Sequence, residues 1–204
     1  MSRIKPFVFL VCLLPFLRLP LYGYLGSLGP DPVAFLIHST GIWSLVFLLI
    51  TLSVTPARRI FRYPQLLLLR RMFGQYAFFY GVIHFLLYAY FDQYFSLTAI
   101  WRDILDRPFI MTGFTGLALL LPLSCTSTNK WMKRLGIARW RYIHWLIYPS
   151  AILSVVHFWL EVKRDIREPL VYAALLGVLL IYRLAYMFYV KKASFLMSLW
   201  PKSR

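Results

Sequence analysis

The stretch MFGQYAFFYGVIHFLLYAYF, residues 72–91, runs for twenty residues without a charged side chain and carries one imidazole, His84. A helix needs about 20 predominantly apolar residues to cross the hydrocarbon of a bilayer. A second stretch, YIHWLIYPSAILSVVHFWL at 142–160, is equally free of charge and carries His144 and His157. Four further apolar blocks lie roughly at 7–25, 40–56, 108–124 and 169–190. Turn and breaker residues separate them: Gly26, Gly29, Pro30 and Pro32 after the first block, Pro56 and Pro64 after the second, Pro108 and Pro169 opening the fourth and sixth. The period-2 alternation of a barrel strand is absent, and a spanning backbone must satisfy its own hydrogen bonds. The expected fold is an all-α integral membrane protein, a bundle of six transmembrane helices forming one domain over 1–204.

Composition agrees. Of the 204 residues 60% are hydrophobic, 19% aromatic and 15% charged, with mean hydropathy +0.65. Soluble domains carry about a quarter charged residues. A soluble enzyme, a secreted disulfide scaffold and a disordered tail are all excluded. The net charge of +16 would suggest nucleic acid if read as a total. Read by position it points to membrane lipid and topology instead, with no nucleic-acid partner.

Arg58, Arg59, Arg62, Arg70 and Arg71 follow the second block, and Lys130, Lys133, Arg134, Arg139 and Arg141 follow the fourth. Arg3 and Lys5 precede the first, and Lys191, Lys192, Lys202 and Arg204 follow the last. All seven acids (Asp31, Asp92, Asp103, Asp106, Glu161, Asp165, Glu168) fall in the alternate loops. Short loops rich in Lys and Arg stay in the cytoplasm. Both termini are therefore expected inside, as an even number of spans requires. The first span lacks a small-x-small cleavage site and reads as an uncleaved anchor. Cys12 and Cys125 are far apart and without metal-type spacing, so they read as reduced packing residues. There is no GxGxxG, P-loop or CxxC, and no attached nucleotide-binding domain is expected.

The histidines carry the chemistry, because an ionisable group in hydrocarbon is costly and marks a functional site. At 1.5 Å rise per residue, His84 stands roughly 18 Å above the inner end of its span, His157 roughly 22 Å and His144 about 3 Å. His84 and His157 share a level in the outer half. Two neutral imidazoles from different helices at one depth make an axial pair for b-type haem iron; the plainer alternative is interhelical hydrogen bonding. His144 is open between a second haem ligand, a flavin or quinone contact and an interfacial residue. Thirteen residues from His144 to His157 leave them about 140° apart on an ideal helix, unless Pro149 kinks it, and the inner half of the third span offers no partner histidine. His38 reads as an interfacial residue just outside the second span, with a ligand or quinone contact as the alternative. Arg183 either snorkels or pairs with a cofactor phosphate or propionate. Arg18 reads as snorkelling outward. Gly41, Gly74, Gly81 and Gly113 permit close approach of a ring or a helix.

HSTG (38–41), LLITLSVTPARR (48–59), RRMFGQYAFFYGVIHFLLY (70–88), RPFIMTGFTGLALLLPLSCTS (107–127) and LGIARWRYIHWLIYPSAILSVVHFW (135–159) together resemble the ferric-reductase-like transmembrane family. Within it they resemble the haem-binding membrane subunits of bacterial periplasmic methionine-sulfoxide reductase systems. The resemblance implies an inner-membrane electron-transfer subunit. Electrons would come from the quinone pool or a cytosolic flavin reductase, pass through haem b, and reach a periplasmic molybdopterin reductase that repairs oxidised proteins. It places His84, His144 and His157 on the family's functional histidine positions and admits FMN, which an inner site near His144 and Arg183 would suit. Arg18 and Cys125 depart from the pattern. A stand-alone haem-dependent ferric or quinone reductase is the alternative, and a transporter is disfavoured because every acid falls in a loop.

Overall fold

The computed structural model describes residues 4–162 and 165–199. Arg3, Lys202 and Arg204 of the charge pattern lie outside the described residues, as do the side chains of Lys191 and Lys192. Among the described residues the chain forms α1 (Ile4–Tyr24), α2 (Pro32–Ile60), α3 (Leu67–Phe91), α4 (Leu97–Asp106), α5 (Pro108–Cys125), α6 (Asn129–Ile143), α7 (Ile147–Glu161) and α8 (Arg167–Leu199). Single 3-10 turns at Pro64–Leu66 and His144–Leu146 lead into α3 and α7. Among the described residues, six helical segments are long and apolar enough to cross a membrane: Lys5–Tyr24, Pro32–Ile60, Pro64–Phe91, Pro108–Cys125, Asn129–Glu161 and Arg167–Tyr189.

Two antiparallel pairs, α2 with α3 and α5 with α7, form the centre, and α1 and α8 pack on their flanks. Small residues let each pair close. Ser44 Oγ donates to the Ala77 carbonyl at 2.8 Å, where Ala77 is fully buried. Ser150 Oγ donates to the Gly116 carbonyl at 2.8 Å, beside fully buried Ala151. Without a hydrophobic force between helices in lipid, such close packing and interhelical bonds are what hold a bundle together.

Asp31 accepts the Ala34 N–H at 2.9 Å and Pro32 opens α2, a cap followed by a proline that needs no donor partner. The helix therefore starts before His38, which lies within it and not outside the span as the sequence suggested. Pro56, read as a breaker, is also inside α2, which continues to Ile60. One lost hydrogen bond near a helix end is a smaller penalty than unwinding a turn of backbone at the membrane boundary.

α1 is opened differently. Tyr80 Oη accepts the Phe16 N–H at 3.0 Å and donates to the Cys12 carbonyl at 2.9 Å. Those two backbone groups are four residues apart, so the phenol is inserted into the ladder of α1 and pins that helix to α3. Cys12 is a buried thiol, as expected of a packing residue, whereas Cys125 is exposed.

Two surface helices flank the bundle. On the outer side α4 occupies what the sequence presented as a loop. Ser96 caps it, and Ile100 and Ile104 bury against Tyr88, Ala89, Phe85 and Ile110. Asp103 accepts from Tyr88 Oη at 2.8 Å and Gln93 Nε2 at 3.0 Å, and pairs with Arg107 at 3.0 Å. On the inner side α6 carries Lys130, Lys133, Arg134, Arg139 and Arg141, and Gly136 at φ 75°, ψ 157° breaks it. A residue with a Cβ is strained at that φ.

Candidate functional site

α3 carries His84 and α7 carries His157, and the antiparallel pairs bring the two imidazoles together. Their ring centres are 6.0 Å apart with planes at 76°. His84 Nδ1–H donates to the Ile37 carbonyl of α2 at 2.8 Å. His157 Nδ1–H donates to the Phe109 carbonyl of α5 at 2.6 Å. A carbonyl only accepts, so each Nδ1 carries the proton and each Nε2 keeps its lone pair. A ligating histidine typically holds its other ring N–H on such an acceptor, which fixes tautomer and orientation.

Two glycines make room for the rings. A Cβ on Gly41 would lie 3.0 Å from His84 Cε1 and Nδ1, and one on Gly113 would lie 2.7 Å from His157 Nδ1. Gly81 is crowded by Leu117 and Ser44, a helix contact, and Gly74 makes ordinary contact with Thr51. Of the four glycines singled out in the sequence, two seat an imidazole and two serve packing.

The pair faces a cavity of about 1190 Å³ lined by Gly41, Ser44, Gly81, Gly113, Leu117 and Ser154 as well as the histidines. Its outer rim holds Asp31, Asp92, Asp106, Arg107 and Glu161. His38 is exposed on the α2 wall of this cavity, its ring 5.8 Å from that of Phe158. A metal–imidazole bond is about 2 Å and the bonded nitrogen lies about 1.1 Å from the ring centre, so two imidazoles sharing one iron stand about 6 Å apart. With no hydrogen bond to either Nε2 among the described residues, the observed separation would suit His84 and His157 to hold a haem iron between them. Among the described residues no group of three or more His, Cys, Asp or Glu could hold a bare metal ion. Haem iron asks the protein only for axial ligands.

His144 is elsewhere. It sits in the 3-10 turn between α6 and α7, its ring stacked 3.9 Å from that of Trp140, and Nδ1–H donates to the Trp140 carbonyl at 3.0 Å. Its Nε2 is buried with no hydrogen-bond partner among the described residues. The turn breaks the helical phase between His144 and His157. Proline's ring displaces the carbonyl four residues earlier, and for Pro149 that is Trp145, inside the turn. A cavity of about 240 Å³ nearby is lined by Arg70, Arg71, Thr51, Ser124 and Trp140. The Arg183 guanidinium lies 5.0 Å from the Tyr148 ring. In the sequence Arg70 and Arg71 count only as topology charges. Their place at the start of a span that lacks an inner histidine was the available signal.

Arg18 also departs from expectation. Its Nη2 donates to Ser39 Oγ at 3.2 Å and its guanidinium lies 5.9 and 5.8 Å from the Tyr22 and Trp43 rings. It turns toward α2, not toward the head groups, because two aromatic faces and a hydroxyl lie within reach.

Residues 37–155 match the family model described as ferric reductase like transmembrane component. The chain is 41% identical over 185 residues to the protein-methionine-sulfoxide reductase heme-binding subunit MsrQ of Herminiimonas arsenicoxydans, across 90% of this chain and 85% of that one. It is 50% identical over 157 residues to MsrQ of Xanthomonas oryzae pv. oryzae (strain MAFF 311018), across 77% and 72%. Identity to MsrQ of Rhodospirillum rubrum is 45% over 177 residues, across 87% and 85%. No solved structure matches.

Proposed function

From the premise that the chain belongs to the ferric-reductase-like transmembrane family, among the MsrQ heme-binding subunits of methionine-sulfoxide reductase, we propose that it is a b-type cytochrome subunit of the bacterial inner membrane. It passes electrons from the quinone pool or a cytosolic flavin reductase to a periplasmic molybdopterin methionine-sulfoxide reductase, MsrP. Reduction of the sulfoxide takes place on that partner, so this subunit carries no catalytic residue. The whole of 1–204 acts as one domain.

The observation that carries this reading is the 6.0 Å separation of His84 and His157 with both Nδ1–H groups committed to carbonyls. Haem b, when bound, supplies reversible one-electron storage. The chain's own contribution is to orient two Nε2 lone pairs, to wall the site with apolar side chains, and to open the cavity toward the outer side. Ile37 and Phe109 act as positioning residues through their carbonyls. The rim of Asp31, Asp92, Asp106, Arg107 and Glu161 is where the partner would approach.

A second reading concerns the inner side. The orphaned Nε2 of His144, with Arg70, Arg71 and Arg183 near, supports a second haem or FMN held there, the arginines taking propionates or phosphate. At about 240 Å³ this cavity is smaller than the roughly 300–1,000 Å³ of most small-molecule sites, so the bound group would extend beyond it.

The test is the reduced-minus-oxidised spectrum of the purified protein in detergent, with haem and flavin counted per chain. Haem b bands that disappear in His84→Ala and His157→Ala are expected. Bands unchanged in both variants would overturn the assignment.

A further inference from the structure

The cavity that His84 and His157 face offers hydrogen-bond donors that iron ligation does not use. Among its lining side chains, Ser44 Oγ donates to the Ala77 carbonyl, Ser154 Oγ to the Ser150 carbonyl and Tyr88 Oη to Asp103. His84 and His157 hold their N–H groups on Ile37 and Phe109. Those hydrogens are all committed. Arg107 and His38 are left. Among the described residues no hydrogen bond is made by the Arg107 Nη groups or by the His38 ring, and both residues line the cavity.

Both stand beside the carbonyls that orient the histidine pair. His38 follows Ile37 on α2, and Arg107 precedes Phe109 by two residues at the head of α5. Proline forces the residue before it out of the helical region. Ahead of Pro108, Arg107 is accordingly extended at φ −115°, ψ 107°, in the corner between α4 and α5. Asp103 of α4 pairs with its Nε at 3.0 Å. A solvent-facing pair of this kind adds little stability; its effect here is geometric. A guanidinium is a rigid fork of donors that accepts nothing, so a tie at Nε aims the fork and leaves its Nη hydrogens available at the rim.

The charges at that rim decide what the fork can take. Asp31, Asp92, Asp106 and Glu161 stand there and repel an anion. Among the described residues Arg107 is the only Lys or Arg that lines the cavity. A porphyrin seated between the two imidazoles carries its carboxylates along one edge, and a charge taken from water needs a partner. Guanidinium with carboxylate is a strong pairing, fixed in direction by its two parallel bonds.

We propose that Arg107 and His38 bind the two carboxylates at the porphyrin edge, with Asp103 as the residue that positions Arg107. The Arg107 Nη–H groups donate to one propionate and a His38 ring N–H donates to the other. The acidic edge of the ring therefore lies at the outer rim, and the electron leaves from the edge nearest the surface. The inference rests on the proposed axial pair for the place of the iron; the carboxylate contacts belong to Arg107 and His38 alone.

The full chain, purified in detergent without haem and titrated with haemin and with haemin dimethyl ester, tests this. Esterification removes both charges and leaves the ring and iron unchanged. The preference for haemin over its ester is expected to fall about tenfold in Arg107→Gln, the effect of losing one charge-assisted hydrogen bond, and several-fold in His38→Ala. Asp103→Asn is expected to lower the same preference with ester affinity unchanged. The midpoint potential of bound haemin is expected to fall in Arg107→Gln, since a nearby cation favours the less positive, reduced iron. If Arg107→Gln does not fold, Arg107→Lys, which keeps the charge without the fork, is expected to lose several-fold of the preference. An unchanged preference in both Arg107→Gln and His38→Ala, or equal losses for haemin and ester, would overturn the site. A change in only one of them would strike the other residue from it. Haemin bound through His84 and His157 with no effect of Arg107 or His38 would refute this site alone. A preference set by Arg107 and His38, with a spectrum unchanged in His84→Ala and His157→Ala, would refute the axial pair and leave the site. No haemin binding by the wild type would overturn both.

Discussion

The imidazole of His157 lies directly against the backbone of Gly113, so that a Cβ there would be 2.7 Å from Nδ1 and 2.8 Å from Cε1. The same nitrogen is 2.6 Å from the Phe109 carbonyl on the same helix. One turn of α5 therefore both holds the ring and gives it space. Gly113→Ala is expected to tilt the ring off its acceptor and lower haem affinity by about 10–100-fold, the usual penalty for disturbing a ligand's support. Gly41→Ala, where the nearest His84 atoms are at 3.0 Å, should do the same more mildly. Haem retained per chain after purification measures both.

His144 shares the tautomer of the other two histidines but none of their surroundings. His144→Ala should leave the spectral signature of the His84/His157 pair intact and remove only a second haem or flavin. Cofactor stoichiometry decides this: equal counts in variant and wild type would return His144 to a structural role against Trp140.

Tyr80→Phe removes a hydroxyl that serves two backbone groups of α1 at once. If α1 cannot close the gap, Phe16 N–H and Cys12 C=O remain buried and unpaired, which costs about 1–3 kcal/mol for each group. The expected result is weaker docking of α1, read as a lower midpoint in denaturant titration from detergent. An unchanged midpoint would mean that the helix recloses its own ladder.

Asp92, at the outer end of α3, has its carboxyl pushed above the usual range by desolvation, with the Asp103 carboxylate adding to it. A group whose folded pKa is raised binds its proton better when folded. Its ionised form therefore opposes folding above that pKa, and the opposition fades as pH falls through it. Asp92→Asn should slightly raise the thermal midpoint at neutral pH, also because a carboxylate faces the negative end of the helix. The gain should shrink in acid.

With Cys12 and Cys125 replaced by serine, single cysteines placed at Arg62 and Arg139 should react with an impermeant thiol reagent only from the cytoplasmic side, and one at Trp101 only from the outside. The opposite labelling would invert the topology.

Much of this protein was legible in the one-dimensional pattern. A run of about 20 uncharged residues must be a membrane helix because nothing else satisfies its backbone there. Basic and acidic residues sort to opposite sides because the loops that carry them do. Even the level of His84 with His157 followed from counting residues along helices of constant rise. Neither counting nor charge says which way a side chain turns about its helix. That α2 begins at Pro32, that Ile37 and Phe109 offer the carbonyls, and that Gly113 gives way to a ring depended on how four helices pack. Arg18 turned inward for the same reason: the rings of Tyr22 and Trp43 come from two different helices. The break at His144 was local chemistry, anticipated from Pro149, yet its position set the histidine against Trp140 and away from the His84/His157 cavity. Sequence set the elements, their direction and their depth, since each depends on hydrophobicity along the chain. Only the tertiary structure decided the partners, since hydrogen bonds and ring contacts depend on distances between residues remote in sequence.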